Sequence, residues 1–253
     1  MRFCASACSI EKTSDRSGDS AGNKTVGAPL DITFRKKLSN LVLPRYSLLL
    51  DRMNWCARWT ETIRQNANCP KFVKREGLYR YVDAEYFGAG QQPLDYFEFG
   101  VFEGRSVKFW AALNGHPQSR FFGFDSFEGL PEEWNRDNPA GFYSANGKIP
   151  QLDDARVQFV VGWFQNSLPS FLASYQQKNR LLIHSDSDLY SSTLYSLTAM
   201  NALIVPGTII IFDEFYDPVH EYRALQDYAS AYMRKSEIVA ATHNYVQAAI
   251  RLK

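Results

Sequence analysis

The chain has 253 residues, of which 45% are hydrophobic, 15% aromatic and 22% charged, a balance that excludes a disordered or fibrous protein. Its 28 Lys and Arg residues are offset by 27 Asp and Glu residues, so a net charge of +1 gives no general attraction for nucleic acid or for an anionic membrane. The length suits one sizeable domain with an accessory segment.

The N-terminal part is the least regularly patterned. Residues 1–30 are rich in Ser and Gly with few large apolar side chains, and they predict a disordered tail. Residues 31–70 predict an accessory helical region with a break between two helices at Pro44. These helices could cap a site or pair two subunits of a homo-oligomer.

Two features bear on where the protein works. The cysteines are Cys4, Cys8, Cys56 and Cys69. Their spacing predicts neither a disulfide framework nor a zinc site, so we expect free thiols in a reducing, cytoplasmic compartment. The uncharged run from Leu189 to Phe212 is long enough to cross a bilayer, but its polar residues and Pro206-Gly207 indicate a helix, a turn and a buried strand.

From residue 71 onward the sequence predicts alternating helices and strands. A helix is predicted over Lys71 to Ala84 and another, with a core-facing stripe of Val219, Tyr222, Leu225, Ala229 and Tyr232, over Pro218 to Arg234. The predicted strands are Leu94–Phe99, Phe121–Phe124, Val157–Val161, Leu181–His184, Thr208–Phe212, Glu237–Ala241 and Tyr245–Leu252. Apolar strands separated by helices are typical of a doubly wound α/β fold, with a mostly parallel, Rossmann-like, seven-stranded sheet. The last two strands have no helix between them and predict an antiparallel hairpin.

Ligands of open α/β sheets bind beyond the carboxyl ends of the strands, so the residues that follow each apolar run are the candidates for a site. The first run leads into Glu98-Phe99-Gly100-Val101-Phe102-Glu103-Gly104-Arg105-Ser106. Gly100 and Gly104 would let a ligand approach the backbone, and the helix that follows offers free N–H groups to a carboxylate. The spacing differs from the GxGxxG of a dinucleotide-binding fold.

Asp125 and Trp163 follow the next two strands. An acidic residue about 20 or more positions after a glycine turn can accept hydrogen bonds from two ribose hydroxyls, and its alternative role is to cap a turn. Trp163 could stack on an adenine ring, or it could simply be buried. Together the two residues fit a nucleoside ligand.

Two acidic pairs follow the last two parallel strands. Asp186-Ser187-Asp188 ends one strand and Asp213-Glu214 ends the next. Four carboxylates at adjacent strand ends would repel one another, whereas a hard divalent ion accepts oxygen ligands and removes that cost. The pattern therefore predicts a Mg²⁺ site.

The order of these motifs resembles one known family. The matching pieces are Glu98-Phe99-Gly100-Val101 with Gly104, Phe124-Asp125-Ser126-Phe127-Glu128-Gly129-Leu130-Pro131, Gly162-Trp163-Phe164 with Leu168-Pro169, Asp186-Ser187-Asp188-Leu189-Tyr190 with Ser192-Thr193, and Asp213-Glu214-Phe215. The run from Tyr96 to Phe215, about half of the chain, is similar to the macrocin O-methyltransferases. These are metal-dependent antibiotic-sugar methyltransferases among the class I S-adenosylmethionine (SAM) enzymes. Residues 71–253 are then expected to form a SAM-dependent methyltransferase domain.

The resemblance implies a role for each motif. The residues implied to bind SAM are Glu98, Gly100, Gly104, Ser106, Asp125, Ser126, Gly162 and Trp163. A metal is implied on Asp186, Asp213 and Glu214, and the catalytic residues are Asp188, as the base, and Asp186. The family usually has Asp-Gly-Asp and Asp-Asp-Tyr where this chain has Asp186-Ser187-Asp188 and Asp213-Glu214-Phe215, and the longer arm of Glu214 would move the ion or make its ligation bidentate.

The predicted function is Mg²⁺-assisted O-methylation of a hydroxyl on a small molecule, such as a sugar or another natural-product diol. One alternative is a nucleotide-sugar glycosyltransferase that uses Asp186-Ser187-Asp188 as its DxD motif, and another is a non-catalytic SAM-binding module. The long connection from Glu132 to Pro150 predicts a lid over the acceptor. His184 and His220 could act as bases, although a lone His is more often structural.

Overall fold

A computed structural model describes residues 44–253. The predicted tail, residues 31–43 with the first predicted helix, and Cys4 and Cys8 lie outside the described residues. The chain divides into two compact units between Arg58 and Trp59, which are described separately. Helix α1 (Pro44–Gln65) begins at Pro44, so the predicted break is the start of a helix. Within the described part of the chain, Cys56 and Cys69 are not joined by a disulfide.

The second unit contains the sheet. Its further elements are β1 (Lys71–Phe72), α2 (Arg75–Phe87), β2 (Leu94–Phe99), α3 (Arg105–Leu113), β3 (Arg120–Asp125), β4 (Val157–Val161), α4 (Phe164–Ser174), β5 (Arg180–Ser185), α5 (Tyr190–Ala199), β6 (Ile209–Phe212), α6 (Glu221–Ala231), β7 (Ser236–Thr242) and β8 (Ala248–Leu252). The strand order is β1-β7-β8-β6-β5-β2-β3-β4. Strand β8 runs antiparallel to β6 and β7, and the other paired strands are parallel. The doubly wound α/β fold with its C-terminal hairpin is thus confirmed.

The sheet differs from the prediction at its start. Residues Lys71 and Phe72 pair with Ala241 and Thr242 of β7, which adds an eighth strand and delays the predicted helix to Arg75. The predicted stripe on α6 is also partly wrong. Tyr222 and Leu225 are buried, but Tyr232 lies beyond the end of the helix and is 39% exposed.

The position of the site follows from the sheet order. Every residue of β2 and β6 is buried, so these central strands are covered on both faces. Strand β2 pairs with β3 on one side and with β5 on the other, and this reversal of chain order opens a crevice at the carboxyl ends of the strands. Within the described part of the chain, no helix combines the length and the apolar character needed to cross a membrane.

Candidate active site

One cavity of about 300 Å³ lies at the carboxyl ends of strands β2 to β6. The predicted site residues in its wall are Gly100, Ser106, Asp125, Ser126, Trp163, Asp186, Asp188, Asp213 and Glu214. The glycine turn, the ribose-type acid, the aromatic ring and both acidic pairs therefore meet in one crevice.

Three predicted cofactor residues lie behind this wall. Glu98 is fully buried in the sheet. Gly104 caps the N-terminus of α3 with φ of 75°, and a Cβ there would lie 3.0 Å from Pro150. The amide of Gly162 donates to the carbonyl of Asp125 at 2.9 Å. None of these three residues lines the cavity, whereas the sequence predicted direct contact with the cofactor.

The packing of the backbone requires a glycine at position 100, whether or not a ligand is bound. Its φ is 90°, and a Cβ at this position would lie 1.7 Å from the carbonyl oxygen of Asp186. Two hydrogen bonds hold the backbones in place, from Gly100 N to Phe124 O at 3.0 Å and from Asp186 N to Phe99 O at 2.9 Å. Only a residue without a side chain allows the glycine turn to lie this close to the end of β5.

The Asp125 carboxylate shapes the same turn. One oxygen accepts the amides of Val101 and Phe102 at 2.7 and 2.8 Å, and the other accepts the amide of Phe127 at 2.8 Å. The turn-capping role is thus observed, and Asp125 still lines the cavity. Ser126 forms a similar local contact, because its Oγ accepts the amide of Glu128 at 3.1 Å.

The acidic side chains form two groups that share Asp186. Asp186, Asp188 and Glu214 offer oxygens within 4.8 Å of one another, and so do Asp186 and Asp213 with a ring nitrogen of His184. The three predicted metal ligands are therefore divided between the two groups.

Burial dominates the electrostatics of these carboxyls. It raises the pKa of Asp186 well above its ordinary value, and the charge of Asp213 adds to this effect. Burial likewise raises the pKa of Glu214, again with a contribution from Asp213. It raises the pKa of Asp188 to about 7. The Oε2 atom of Glu214 is buried and has no hydrogen-bond partner among the described residues. An unpartnered oxygen within an all-carboxylate group fits a hard cation such as Mg²⁺.

Arg75 is a site residue that sequence reasoning missed. It is the first residue of α2, and its Nη1 lies 3.2 Å from Asp213 Oδ2 in the cavity wall. Burial would raise the pKa of Asp213, but His184, whose Nε2 lies 3.7 Å away, and the charge of Arg75 lower it. An Arg at the start of a helix carries no recognisable signal, and 138 residues separate it from its partner.

His184 is fully buried between two tyrosines. Tyr96 donates its hydroxyl proton to Glu98 Oε2, so the Tyr96 oxygen accepts from Nδ1 of His184 at 2.9 Å. Tyr79 donates to Asp213 at 3.5 Å and accepts from Nε2 of His184 at 3.2 Å. Burial alone would lower the pKa of His184, but its contacts with Asp213 and Glu98 raise it to about 10.

Glu221 is a second buried residue that the sequence did not reveal. Its two oxygens accept from Ser185 Oγ at 2.8 Å and from the amide of Glu214 at 2.9 Å. The carboxylate therefore joins the end of β5 to the turn after β6. Burial raises the pKa of Glu221 to about 8.

The predicted lid is anchored at its base. Leu130 N donates to Phe142 O at 2.9 Å, and Gly141 N donates to Leu130 O at 2.8 Å. Leu130, Pro131 and Tyr143 contribute to the cavity wall. His220, which the sequence offered as a base, accepts the amide of Tyr190 at the start of α5 at 3.2 Å.

Comparison with known proteins identifies related sequences and folds. The macrocin-O-methyltransferase (TylF) family matches residues 84–243. A Streptomyces olivaceus enzyme, 8-demethyl-8-(2,3-dimethoxy-alpha-L-rhamnosyl)-tetracenomycin-C 4'-O-methyltransferase, is 31% identical over 52% of this chain and 58% of its own length. Demethyldecarbamoylnovobiocin O-methyltransferase of Streptomyces niveus is 26% identical over 54% of this chain and 61% of its own length. This chain thus spans less than two thirds of both curated relatives.

Two solved structures share the fold. The O-methyltransferase NovP has a TM-score of 0.56 and 21% identity, with 70% of this chain and 78% of NovP covered. The calicheamicin methyltransferase CalS11 has a TM-score of 0.54 and 22% identity, with 94% of this chain and 99% of CalS11 covered.

Proposed function

This chain belongs to the macrocin-O-methyltransferase (TylF) family, and from that premise we propose that it transfers a methyl group from SAM to a hydroxyl of a small molecule. We further propose that the acceptor is a sugar or another natural-product diol and that Mg²⁺ assists the reaction. The observation that carries the proposal is the single cavity whose wall combines the glycine turn and Asp125 with the carboxylates of two neighbouring strand ends.

The donor half of the cavity would hold SAM. When bound, SAM supplies a methyl group already activated on a sulfonium, so positioning is the main task of the protein. Gly100 lies in the cavity wall, and Ser106 presents a hydroxyl at the start of α3. Asp125 would accept one ribose hydroxyl with the lone pair of Oδ1 that its three amide contacts leave available, and Trp163 would stack on the adenine.

The acidic half would hold the acceptor. A divalent cation held by Asp186, which belongs to both acidic groups, and by Asp213 and Glu214, from one group each, would lower the pKa of a hydroxyl bound to it. Asp188 would take the proton of that hydroxyl, and its pKa of about 7 suits a general base near neutral pH. Arg75 holds the Asp213 carboxylate by an ion pair. The segment from Glu132 to Pro150 would cover the acceptor.

Two rival functions make different predictions. A glycosyltransferase would explain Asp186-Ser187-Asp188, but it gives no role to the glycine turn that closes against Asp186 or to the pair after β6. It predicts binding of a nucleotide diphosphate instead of SAM. A non-catalytic module predicts SAM binding without methyl transfer to any acceptor.

Titration calorimetry with SAM, followed by a screen of diol-bearing sugars in the presence of Mg²⁺, tests the proposal. We expect SAM to bind and one acceptor class to gain the mass of a methyl group. Asp186→Asn should abolish transfer, whereas the control Asp153→Asn, at an exposed acid outside the cavity, should not. Absence of SAM binding would refute the proposal. Full methyl transfer by Asp213→Asn in chelator-treated protein would refute its claim that a metal assists the reaction.

A further inference from the structure

A row of three polar side chains crosses the middle of the sheet below the cavity. Glu98 of β2 is the register partner of His184 of β5, and His184 is the partner of Ile211 of β6. Asp213 lies two residues beyond Ile211 and therefore continues the row on the same face. The His184 ring lies 3.7 Å from a carboxylate oxygen of Glu98 and 3.7 Å from one of Asp213.

Two tyrosine hydroxyls complete this row. The Tyr96 hydroxyl bridges Glu98 and His184 Nδ1, and the Tyr79 hydroxyl bridges His184 Nε2 and Asp213. His184 and Glu98 are fully buried, and both tyrosines are at most 1% exposed. His184 is thus hydrogen-bonded through both ring nitrogens, each toward a different carboxylate.

The two ends of the row reach opposite halves of the cavity. Ser106 Oγ donates to Glu98 Oε1 at 2.8 Å, and Ser106 lines the cavity beside the glycine turn. Asp213 lines the cavity beside the other acids. His184 itself does not reach the cavity wall and so cannot touch a substrate.

We propose that His184 is a positioning residue that sets both halves of the site at once, Ser106 through Glu98 and the Asp213 carboxylate through Tyr79. The inference rests on the proposed function, because it assumes SAM beside Ser106 and a divalent cation beside Asp213. Removing the ring would leave two buried hydroxyls and two buried carboxylates without their common partner, and such groups move or take up water. Supporting residues of this kind typically change metal affinity by about 10- to 100-fold.

The test measures the dissociation constants of SAM and of Mn²⁺ separately by calorimetry. His184→Leu removes both contacts and should raise both constants by about tenfold or more. An Asn side chain can replace the Nδ1 contact alone, so His184→Asn should spare SAM binding and weaken Mn²⁺ binding. A Gln side chain can replace the Nε2 contact alone, so His184→Gln should have the opposite effect. A general loosening of the core would not separate the two constants in this way.

Leu182→Ala is the matched control, since Leu182 is fully buried on the same strand and face but belongs to the apolar core. The proposal is overturned if folded His184→Leu keeps both constants within about twofold of wild type, or if Leu182→Ala changes them equally. It is also overturned if His184→Asn and His184→Gln lower both affinities alike. If His184→Leu does not fold, Tyr96→Phe should weaken SAM binding and Tyr79→Phe should weaken Mn²⁺ binding, and the reverse pattern or no change overturns the proposal.

Wild-type binding separates failure of this inference from failure of the proposed function. A wild-type protein that binds no SAM overturns the proposed function itself. A wild-type protein that binds SAM but not Mn²⁺ overturns the metal part and, with it, the two-sided role of His184. Normal wild-type binding with unaltered His184 variants overturns the inference alone.

Discussion

The contact between Gly100 and Asp186 predicts an unusually damaging single-methyl substitution. In Gly100→Ala the new Cβ would start 1.7 Å from a backbone oxygen, where ordinary contact begins at 3.4 Å, so the two segments must separate by about 1.7 Å. Left-handed backbone costs an alanine about 1–2 kcal/mol. Overpacking costs about 1–3 kcal/mol, and weakening the two hydrogen bonds beside Gly100 adds about 1 kcal/mol each.

Gly207→Ala is the control for this prediction. Gly207 has φ of 93° but nothing within 4 Å of its Cβ position, so it carries the backbone strain without the collision. Urea unfolding should show that Gly100→Ala loses about 3–5 kcal/mol more than Gly207→Ala. SAM affinity should fall at least about tenfold in Gly100→Ala and stay unchanged in the control. Equal stabilities for the two variants, with normal SAM binding in both, would refute the claim that Gly100 is fixed by the end of β5.

Three further substitutions test the two halves of the site, and a fourth tests the buried carboxyl of Glu221. Trp163→Ala should raise the SAM dissociation constant about tenfold, and unchanged affinity would remove Trp163 from the adenine site. Asp188→Asn should keep SAM affinity but slow methyl transfer about 10²- to 10⁴-fold by mass spectrometry, and a normal rate would exclude Asp188 as the base. Asp213→Asn should weaken Mn²⁺ binding about tenfold or more in a calorimetric titration, and unchanged affinity would exclude Asp213 as a ligand. Folding raises the pKa of Glu221 from 4.5 to about 8, so the folded state holds the extra proton and wild-type stability in EDTA should fall as pH rises between those values. Glu221→Gln should flatten that fall by a few kcal/mol, because each pKa unit is worth about 1.4 kcal/mol, and an identical pH profile would contradict the shift.

The positions of the strand ends were predictable because strands and turns leave a strong local pattern. Strand β2 has the predicted bounds Leu94–Phe99, and the motifs after β3, β5 and β6 meet in the crevice that the switch in strand order creates. Glu98 was harder to assign. All six residues of β2 are buried, so its apolar run has no alternation that reveals the face on which each side chain lies.

The buried supports were not predictable, since they depend on contacts between distant parts of the chain. Arg75 meets Asp213 across 138 residues, and Tyr79 meets His184 across 105. Two acids that are adjacent in the sequence also belong to different groups in the structure. Asp213 continues the row of His184, whereas Glu214 lies with Asp188, because successive side chains at a strand end point to opposite sides.

Main-chain hydrogen bonds join Leu130 to Gly141 and Phe142 and close the base of the loop formed by residues 131–140. No side chain of that loop takes part in these bonds. Main-chain atoms therefore tether residues 131–140 at both ends, while Glu132 accepts a hydrogen bond from Ser191 Oγ and Trp134 packs edge-on against His220. Changes at exposed positions between these two tethers leave the main-chain pairing at the base intact. In the proposed enzyme, a change in this segment would alter the surface beside the acceptor and leave the sheet beneath it unchanged.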